Sequence, residues 1–388
     1  MVVASDVILP FAGCSELSGT PVPGTLRVSV VCATTYHPGL GISIRFSGIS
    51  QGTTALRVGR CDCQDANMHA YRCTVPDGSL TVGSGPLPTG PVFIRALALD
   101  ATEPGALYAA TDGTGVVKST DGGTTWNVKS AGLMQMNALS LATAPVAPAA
   151  IYVGTDNGGI FQSTDGGTTW ESRGLESKLV GALLLDSANP QVVYAGSVGP
   201  FGAGIFKSTD AGMTWQTMND GLDNPGVLAL AADHGAPATL YAGTEGGVFK
   251  SMDGARTWTA TNSGLPAEVV VWSLATGTTA VYAGTSAGIF KSSDGAASWT
   301  AVSGGMLSTQ IMMVAVDPVR SDIVYAGTAA GAFRSTDAGQ TWSAMHDLDG
   351  LVVRTLIVDP ATPSTLYAGT DSQLLTSTDG GDTWAPTR

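Results

Sequence analysis

The sequence is poor in charged residues and has no cationic cluster. Lys, Arg, Asp and Glu make up 13% of its 388 residues, and the formal net charge is -13. No block of like charges and no group of lysines or arginines occurs along the chain. Because nucleic acids are bound through clustered positive charge, we expect no nucleic-acid partner.

Long apolar runs are also missing. No stretch approaches the roughly 18–20 apolar residues that a membrane-spanning helix needs, so we expect no membrane span. The first ten residues carry no basic side chain, and Asp6 interrupts their apolar run, which is atypical of a signal peptide. We therefore expect either a mature form whose leader has been removed or a cytosolic protein.

Cysteine is confined to the first part of the chain. All five cysteines precede residue 74: Cys14, Cys32, Cys61, Cys63 and Cys73. Cysteines clustered in a small β-rich segment favour disulfides and an extracellular compartment, and an odd number leaves at least one thiol free or bonded to another chain. A zinc site that includes His69 is the alternative, but the paired C-x2-C spacing is absent. We expect disulfides, with no metal and no other cofactor.

Residues 14–82 alternate short apolar and polar stretches between Gly, Pro and Ser clusters, which predicts a small disulfide-bonded β-sandwich of the immunoglobulin type. Residues 83–91 are nearly all turn formers and predict a linker. Residues 1–13 hold an apolar, β-prone stretch, Val7–Phe11. This stretch is either an edge strand of the sandwich or a strand donated to a neighbouring subunit.

An eight-residue motif that begins with Ser and ends with Trp recurs seven times, with Trp-to-Trp steps of 41 to 45 residues. Its copies are Ser119–Trp126, Ser163–Trp170, Ser208–Trp215, Ser251–Trp258, Ser292–Trp299, Ser335–Trp342 and Ser377–Trp384. A fixed period of this length predicts a β-propeller, here an all-β fold of seven four-stranded blades over residues 92–388. The first repeat opens on an innermost strand and the last closes on an outermost strand, so no blade has to be shared between the chain ends.

The motif lies between the third and fourth strands of each repeat, where a hairpin turn is needed. Its Asp can accept backbone N–H groups, its Ser can cap the turn, its glycines supply positive φ, and its Trp can pack against the neighbouring sheet. The aspartates are Asp121, Asp165, Asp210, Asp253, Asp294, Asp337 and Asp379, and the tryptophans are Trp126, Trp170, Trp215, Trp258, Trp299, Trp342 and Trp384. Seven equivalent copies predict a structural role rather than catalysis.

The pattern Ser-x-Asp-x-Gly-x-Thr-Trp resembles the Asp-box, or BNR, repeat of sialidase-like propellers. The repeats are also similar to blades of sortilin-type receptors, xyloglucan-hydrolysing propellers and photosystem II assembly factors. The resemblance implies the fold over all seven repeats and does not reach residues 1–90. The Arg-Ile-Pro motif of sialidases is absent, the second propeller that forms the xyloglucanase cleft is missing, and the acidic balance differs from the basic face of the assembly factors. We therefore expect no enzyme and assign no catalytic residue.

Ligands of propellers commonly bind at the mouth where the innermost strands begin. Aligning the first strands places Arg95, Asn137, Trp272 and Arg354 there. These side chains could bind a sugar or a carboxylate through stacking and paired hydrogen bonds, and the alternative is a solvated rim with one buried Trp.

From these features we expect an extracellular, non-enzymatic interaction or structural protein, namely a filament subunit that self-associates through Val7–Phe11. The first alternative is a glycan-binding or glycoside-hydrolase-like propeller. The second is an assembly factor for a membrane complex.

Overall fold

The structure is a computed structural model that describes residues 92–144, 150–199, 203–306, 308 and 310–387, together with the backbone of seven strands before residue 92. The chain divides into two compact units, Met1–Gly85 and Pro86–Arg388. The second unit contains seven separate four-stranded sheets, which confirms the seven-bladed propeller.

The first unit is described only by the backbone of its strands. They are Pro21–Val22, Thr25–Thr34, His37–Arg45, Leu56–Arg57, Arg60–Gln64, Ala70–Cys73 and Ser79–Leu80. Five of them form one antiparallel sheet in chain order, and the fourth and seventh pair with each other. Cys61 and Cys73 are register partners on adjacent strands. Val7–Phe11 and Cys14 lie outside the described residues, so the sandwich, the disulfides and the donated strand stay predictions.

Each blade is an antiparallel sheet whose strands A, B, C and D follow one another from the centre of the ring outwards. Strands A are Ile94–Leu99, Ala138–Thr143, Leu179–Leu185, Val227–Ala232, Val271–Thr276, Ile311–Val316 and Val353–Val358. Strands B are Leu107–Thr111, Ile151–Thr155, Val193–Val198, Leu240–Thr244, Val281–Thr285, Val324–Thr328 and Leu366–Thr370.

The outer strands are shorter. Strands C are Gly115–Ser119, Gly159–Ser163, Gly204–Ser208, Gly247–Ser251, Gly288–Ser292, Gly331–Ser335 and Leu374–Ser377. Strands D have two residues each: Asn127–Val128, Glu171–Ser172, Gln216–Thr217, Thr259–Ala260, Thr300–Ala301, Ser343–Ala344 and Ala385–Pro386. A 3-10 helix, His346–Leu348, follows strand D of blade six.

The ring closes without a shared blade, as the repeat register predicted. Each strand A contacts strand A of the next blade, and strand A of blade seven contacts strand A of blade one. Almost every residue of the B strands is buried, because neighbouring blades cover both faces of each sheet. The core is therefore divided among the blade interfaces.

A glycine in strand B lets adjacent blades approach closely. A Cβ atom at Gly327 would lie 2.5 Å from the carbonyl oxygen of Val353 in the next blade, and one at Gly369 would lie 2.4 Å from Ile94 of blade one. Blade one carries Ala110 at this position, where the facing residue of blade two is the small Ala138. The repeated Tyr-Ala-Gly-Thr sequence is thus a requirement of blade packing.

Candidate functional site

All seven Asp-box turns have the same hydrogen bonds. The Ser hydroxyl donates to Asp Oδ1 at 2.7–2.8 Å and accepts a turn N–H at 2.8–2.9 Å. The Thr or Ser before the Trp donates its N–H to Asp Oδ1 and its hydroxyl to Asp Oδ2. The aspartate is therefore committed to its own turn.

These hydrogen bonds stabilise the charged carboxylate. Donation from Thr214, Ser298 and Thr341 lowers the pKa of Asp210, Asp294 and Asp337 to about 2. The same network, led by the backbone N–H of Thr257, brings the pKa of Asp253 to about 2. Equal geometry in every blade supports a structural role for the motif.

The mouth of the ring is formed by a bulge in each strand A. In blade one, Ile94 pairs with Thr111 and Ala96 pairs with Ala110, so Arg95 has no partner on strand B. The same shift occurs in every blade. The bulged residues, which we call the mouth ring, are Arg95, Leu139, Gly181, Leu228, Trp272, Met312 and Arg354.

The structure places Arg95, Trp272 and Arg354 in the mouth ring as equivalent residues, but not Asn137. Leu139 is the blade-two equivalent, because strand A of that blade begins at Ala138, two residues later than the sequence suggests. Asn137 lies just before the strand, where its Oδ1 accepts the N–H of Gly113 in blade one at 3.0 Å. It joins two blades at the mouth face.

Both arginines of the mouth ring are paired with an aspartate of their own blade. Arg95 Nε and Nη2 donate to Asp112 at 2.9 and 2.5 Å. Arg354 Nε and Nη2 donate to Asp371, the latter at 2.9 Å. The hydrogen bonds that Arg95 donates to Asp112 raise the pKa of Arg95, and the negative charge of Asp371 in blade seven adds to the effect. All four side chains keep roughly a quarter to a third of their surface exposed.

Five members of the mouth ring share one cavity. Arg95, Leu139, Gly181, Leu228 and Trp272 line one cavity of about 220 Å³ in the central channel, together with residues of strands A that follow them. All seven members of the mouth ring are half-buried. A guanidinium, an indole and leucine side chains therefore face one shared space.

Sequence comparison of the repeats had missed the acidic partners. Asp112 and Asp371 each follow the last Thr of a strand B, a position that carries Asp156 in blade two and Glu245 in blade four. Their chemistry varies from repeat to repeat, which is the signal that could have found them.

Among residues 92–387, no group of three or more His, Cys, Asp or Glu side chains is placed to hold a metal ion in the described parts. No helix in the described part of the chain is long and apolar enough to cross a membrane.

Two family models match the chain. The model described as photosynthesis system II assembly factor YCF48 matches residues 87–233, and the BNR/Asp-box repeat model matches residues 333–344. No curated protein matches the sequence.

Solved propellers are similar in fold at low sequence identity. An ancestral GH74 enzyme is 19% identical over 79% of this chain and 48% of its own, with a TM-score of 0.67. The GH74 xyloglucanase from Xanthomonas campestris is 20% identical over 79% of this chain and 54% of its own, with a TM-score of 0.65. The chain thus spans about half the length of these enzymes. YCF48 bound to D1 peptide is 17% identical over 64% of this chain and 80% of its own, with a TM-score of 0.51.

These similarities contradict the expectation of a filament subunit. They extend over the propeller and lead to glycoside hydrolases and to an assembly factor, which were the two alternatives. The repeats, the blade count and the Asp-box turns together establish that the chain is a seven-bladed β-propeller built from BNR/Asp-box repeats.

Proposed function

We propose that this propeller is a non-catalytic binding module that takes an extended protein segment at the mouth ring, in the manner of an assembly factor. The observation that carries the proposal is the bulge in every strand A. It places seven equivalent residues at one mouth, and unlike the Asp boxes these residues differ from blade to blade.

The comparisons support a protein ligand. The assembly-factor model covers four members of the mouth ring, from Arg95 to Leu228. A propeller of similar fold, YCF48, has been solved bound to a peptide. Similarity of fold does not by itself identify a ligand, so we choose the ligand from the chemistry of the mouth.

The mouth offers two kinds of contact. Each arginine uses Nε and Nη2 for its own aspartate. Nη1 of Arg95 remains for a carboxylate of the ligand, and Nη1 of Arg354 makes only a long contact of 4.0 Å with Met312 Sδ, which a carboxylate would replace. Trp272 and Leu228 provide an apolar wall for a leucine-like or aromatic side chain that enters the cavity. We therefore expect a segment in which a carboxylate lies near an apolar residue.

The aspartates at the mouth support binding rather than hydrolysis. A glycoside hydrolase needs two carboxyl groups free to act on the sugar, one of them as a proton donor. The oxygens of Asp112 and Asp371 are instead engaged by guanidinium N–H groups. Of the other two acidic residues at this position, Asp156 accepts an N–H of Asn157, which leaves Glu245 as the one carboxyl group of the four without a side-chain hydrogen bond among the described residues.

Selection from a random peptide display library, followed by fluorescence anisotropy, tests the proposal. Trp272→Ala and Arg354→Ala should each weaken a selected peptide by about tenfold or more, as expected for central anchor residues. Arg320→Ala is the matched control, because Arg320 is exposed in the A–B turn of blade six at the opposite face. Absence of any selected peptide, or equal binding by all three variants, would overturn the proposal.

A glycan is the second candidate ligand. The half-buried Trp272 at the mouth favours it, since an aromatic face can stack on a sugar ring, and so does the fold similarity to GH74 enzymes. Xyloglucan oligosaccharides should then bind in place of peptides and lose affinity in Trp272→Ala. Product analysis of the same incubations would reveal any cleavage.

The extracellular location expected from the cysteines belongs to the proposal as well. Mass spectrometry after thiol alkylation, with and without prior reduction, should find at most one alkylated cysteine without reduction. Five alkylated cysteines in both samples would contradict it.

A further inference from the structure

Two kinds of contact fasten neighbouring blades to each other. In the first, the Asp-box indole donates its Nε1–H to a carbonyl just after strand D of the preceding blade. Five interfaces have this bond, with distances of 2.6–3.0 Å, from Trp170, Trp215, Trp258, Trp299 and Trp342.

The second contact comes from a polar side chain on strand C. Lys207, Lys250 and Lys291 lie over the Tyr ring of their own blade and donate to a carbonyl in the next Asp box, at 2.7–3.0 Å. In blade six, Arg334 Nη1 donates to the carbonyl of Gly380 in blade seven at 2.6 Å.

Blades one and two use the strand C position in their own ways. In blade one, Lys118 lies over its Tyr ring and beside Gly166 of the next turn. In blade two the strand C residue is Gln162. Its Nε2–H donates to the Tyr152 hydroxyl, and that hydroxyl donates to the carbonyl of Ala211 in the next Asp box.

The interface between blades seven and one, which we call the closing interface, has neither contact among the described residues. The strand C position of blade seven is Thr376, whose Oγ1 lies beside Gly123 of blade one but is buried without a hydrogen-bond partner among the described residues. Trp126 of blade one donates to Gly123 in its own turn at 3.0 Å. Within the described part of the chain, the Asp-box side of this interface therefore has neither contact.

Packing and one backbone hydrogen bond hold the closing interface in place of these contacts. Ile94 of blade one packs against Gly369, and Tyr367 lies beside Gly122. The N–H of Val92 donates to the carbonyl of Ser372 at 3.3 Å on the mouth side.

The two arginines of the mouth ring lie on either side of this same interface. Arg95 belongs to strand A of blade one and Arg354 to strand A of blade seven, and these strands are in contact. The charge of Asp371 in blade seven acts on Arg95 across the interface. A carboxylate that accepts N–H groups from both arginines would therefore join blade seven to blade one.

We propose that the ring opens at the closing interface and that a carboxylate-bearing segment bound by both arginines holds it shut, so that ligand binding is coupled to ring closure. The coupling rests on the proposed function, whereas the opening does not. A ligand that binds only the closed ring suppresses opening by a factor of one plus the ratio of the free ligand concentration to its Kd.

Hydrogen exchange of the full chain tests the opening without any ligand. Amides of Ile94–Leu99 and Leu366–Thr370 should exchange faster than the equivalent amides at the interface of blades three and four, Val193–Val198 and Val227–Ala232. Thr376→Lys supplies the missing cation and should slow exchange at the closing interface by about five- to tenfold, with a rise in Tm of about 2–4 °C. Lys207→Thr is the matched control and should speed exchange between blades three and four.

Equal exchange at the two interfaces, together with no protection in a normally folded Thr376→Lys variant, would overturn the opening. For the coupling, the probe is a selected peptide that binds the wild-type chain and no longer binds Arg354→Ala. At a concentration of 100 times its Kd it should slow exchange at the closing interface by about 100-fold and leave Val193–Val198 unchanged. Binding without this local protection overturns the coupling and leaves the proposed function standing. Failure to obtain any peptide overturns the proposed function and leaves the exchange comparison to decide the opening.

Discussion

At the scale of single residues, the Asp box depends on its buried serine. Ser163 is 1% exposed, and its hydroxyl both donates to Asp165 and accepts the N–H of Gly167. The same pair of bonds recurs in all seven turns, so one position reports on the motif.

Ser163→Ala should destabilise the propeller by about 1–2 kcal/mol, because the buried N–H of Gly167 loses its acceptor. Urea unfolding followed by tryptophan fluorescence measures the change. Thr168→Ala is the control, since Thr168 is exposed and its hydroxyl donates only to the carbonyl of Asp165. A serine variant as stable as the control would mean that the turn does not depend on this hydroxyl.

The roles of the motif residues could be predicted from sequence because the chemistry of the turn is local. Ser, Asp and Gly lie within five positions of one another and bond to each other's backbone. The ion pair of Arg95 with Asp112 could not, because it joins residues 17 positions apart on two strands. The pairing depends on how the bulge turns Arg95, and no repeat alignment contains that information.

At the scale of elements, the stability of the ring depends on contacts between blades. Lys250 shows how one side chain serves two blades. Its ammonium group lies 5.7 Å from the ring centre of Tyr241 and donates to Gly295 of the next blade at 2.7 Å.

Lys250→Met keeps the apolar stem and removes the charge, so the variant should lose about 1 kcal/mol of unfolding free energy. Lys129→Met is the control, because the Lys129 ammonium makes no hydrogen bond within the described residues. Chemical denaturation of both variants beside the wild type gives the comparison. Equal loss in the two would show that the interblade contact contributes nothing of its own.

Strand order and blade number follow from the repeat, but strand register does not. In blade two, aligning the first strands puts Asn137 at the mouth, whereas strand A begins at Ala138 and its bulged residue is Leu139. The cause is a contact with the neighbouring blade. The carbonyl of Met136 accepts N–H groups of Gly113 and Gly115 in blade one, so this segment bonds to blade one rather than to its own sheet. That offset of two residues is why Asn137 was assigned to the mouth in place of Leu139.

At the scale of the whole molecule, the seven Asp boxes together make the free energy of unfolding depend on pH in the acid range. Folding lowers the pKa of each Asp-box carboxyl below its ordinary value of 3.8. A lowered pKa stabilises the fold above the unfolded value, and this contribution is lost as the pH falls through the folded value.

The midpoint of urea unfolding should therefore be steady near pH 5–6 and fall steeply between pH 4 and pH 2. Titrating the midpoint over this range is the measurement. Asp294→Asn, which keeps an oxygen acceptor without a titratable proton, should make the decline shallower. A midpoint that stays constant below pH 4 would contradict the prediction.

The bulges of strands A have a consequence for how the molecule can change. A bulged residue has no partner on strand B, so replacing it leaves the ladder of its blade intact. Each blade therefore contributes one residue to the mouth that can be replaced without disturbing its sheet, although Arg354 contacts Met312 of the neighbouring blade and these two have to be varied together. The seven positions of the mouth ring are free of the packing constraints on the Tyr, Gly and Trp positions. A library that varies all seven together could therefore give propellers with new ligands.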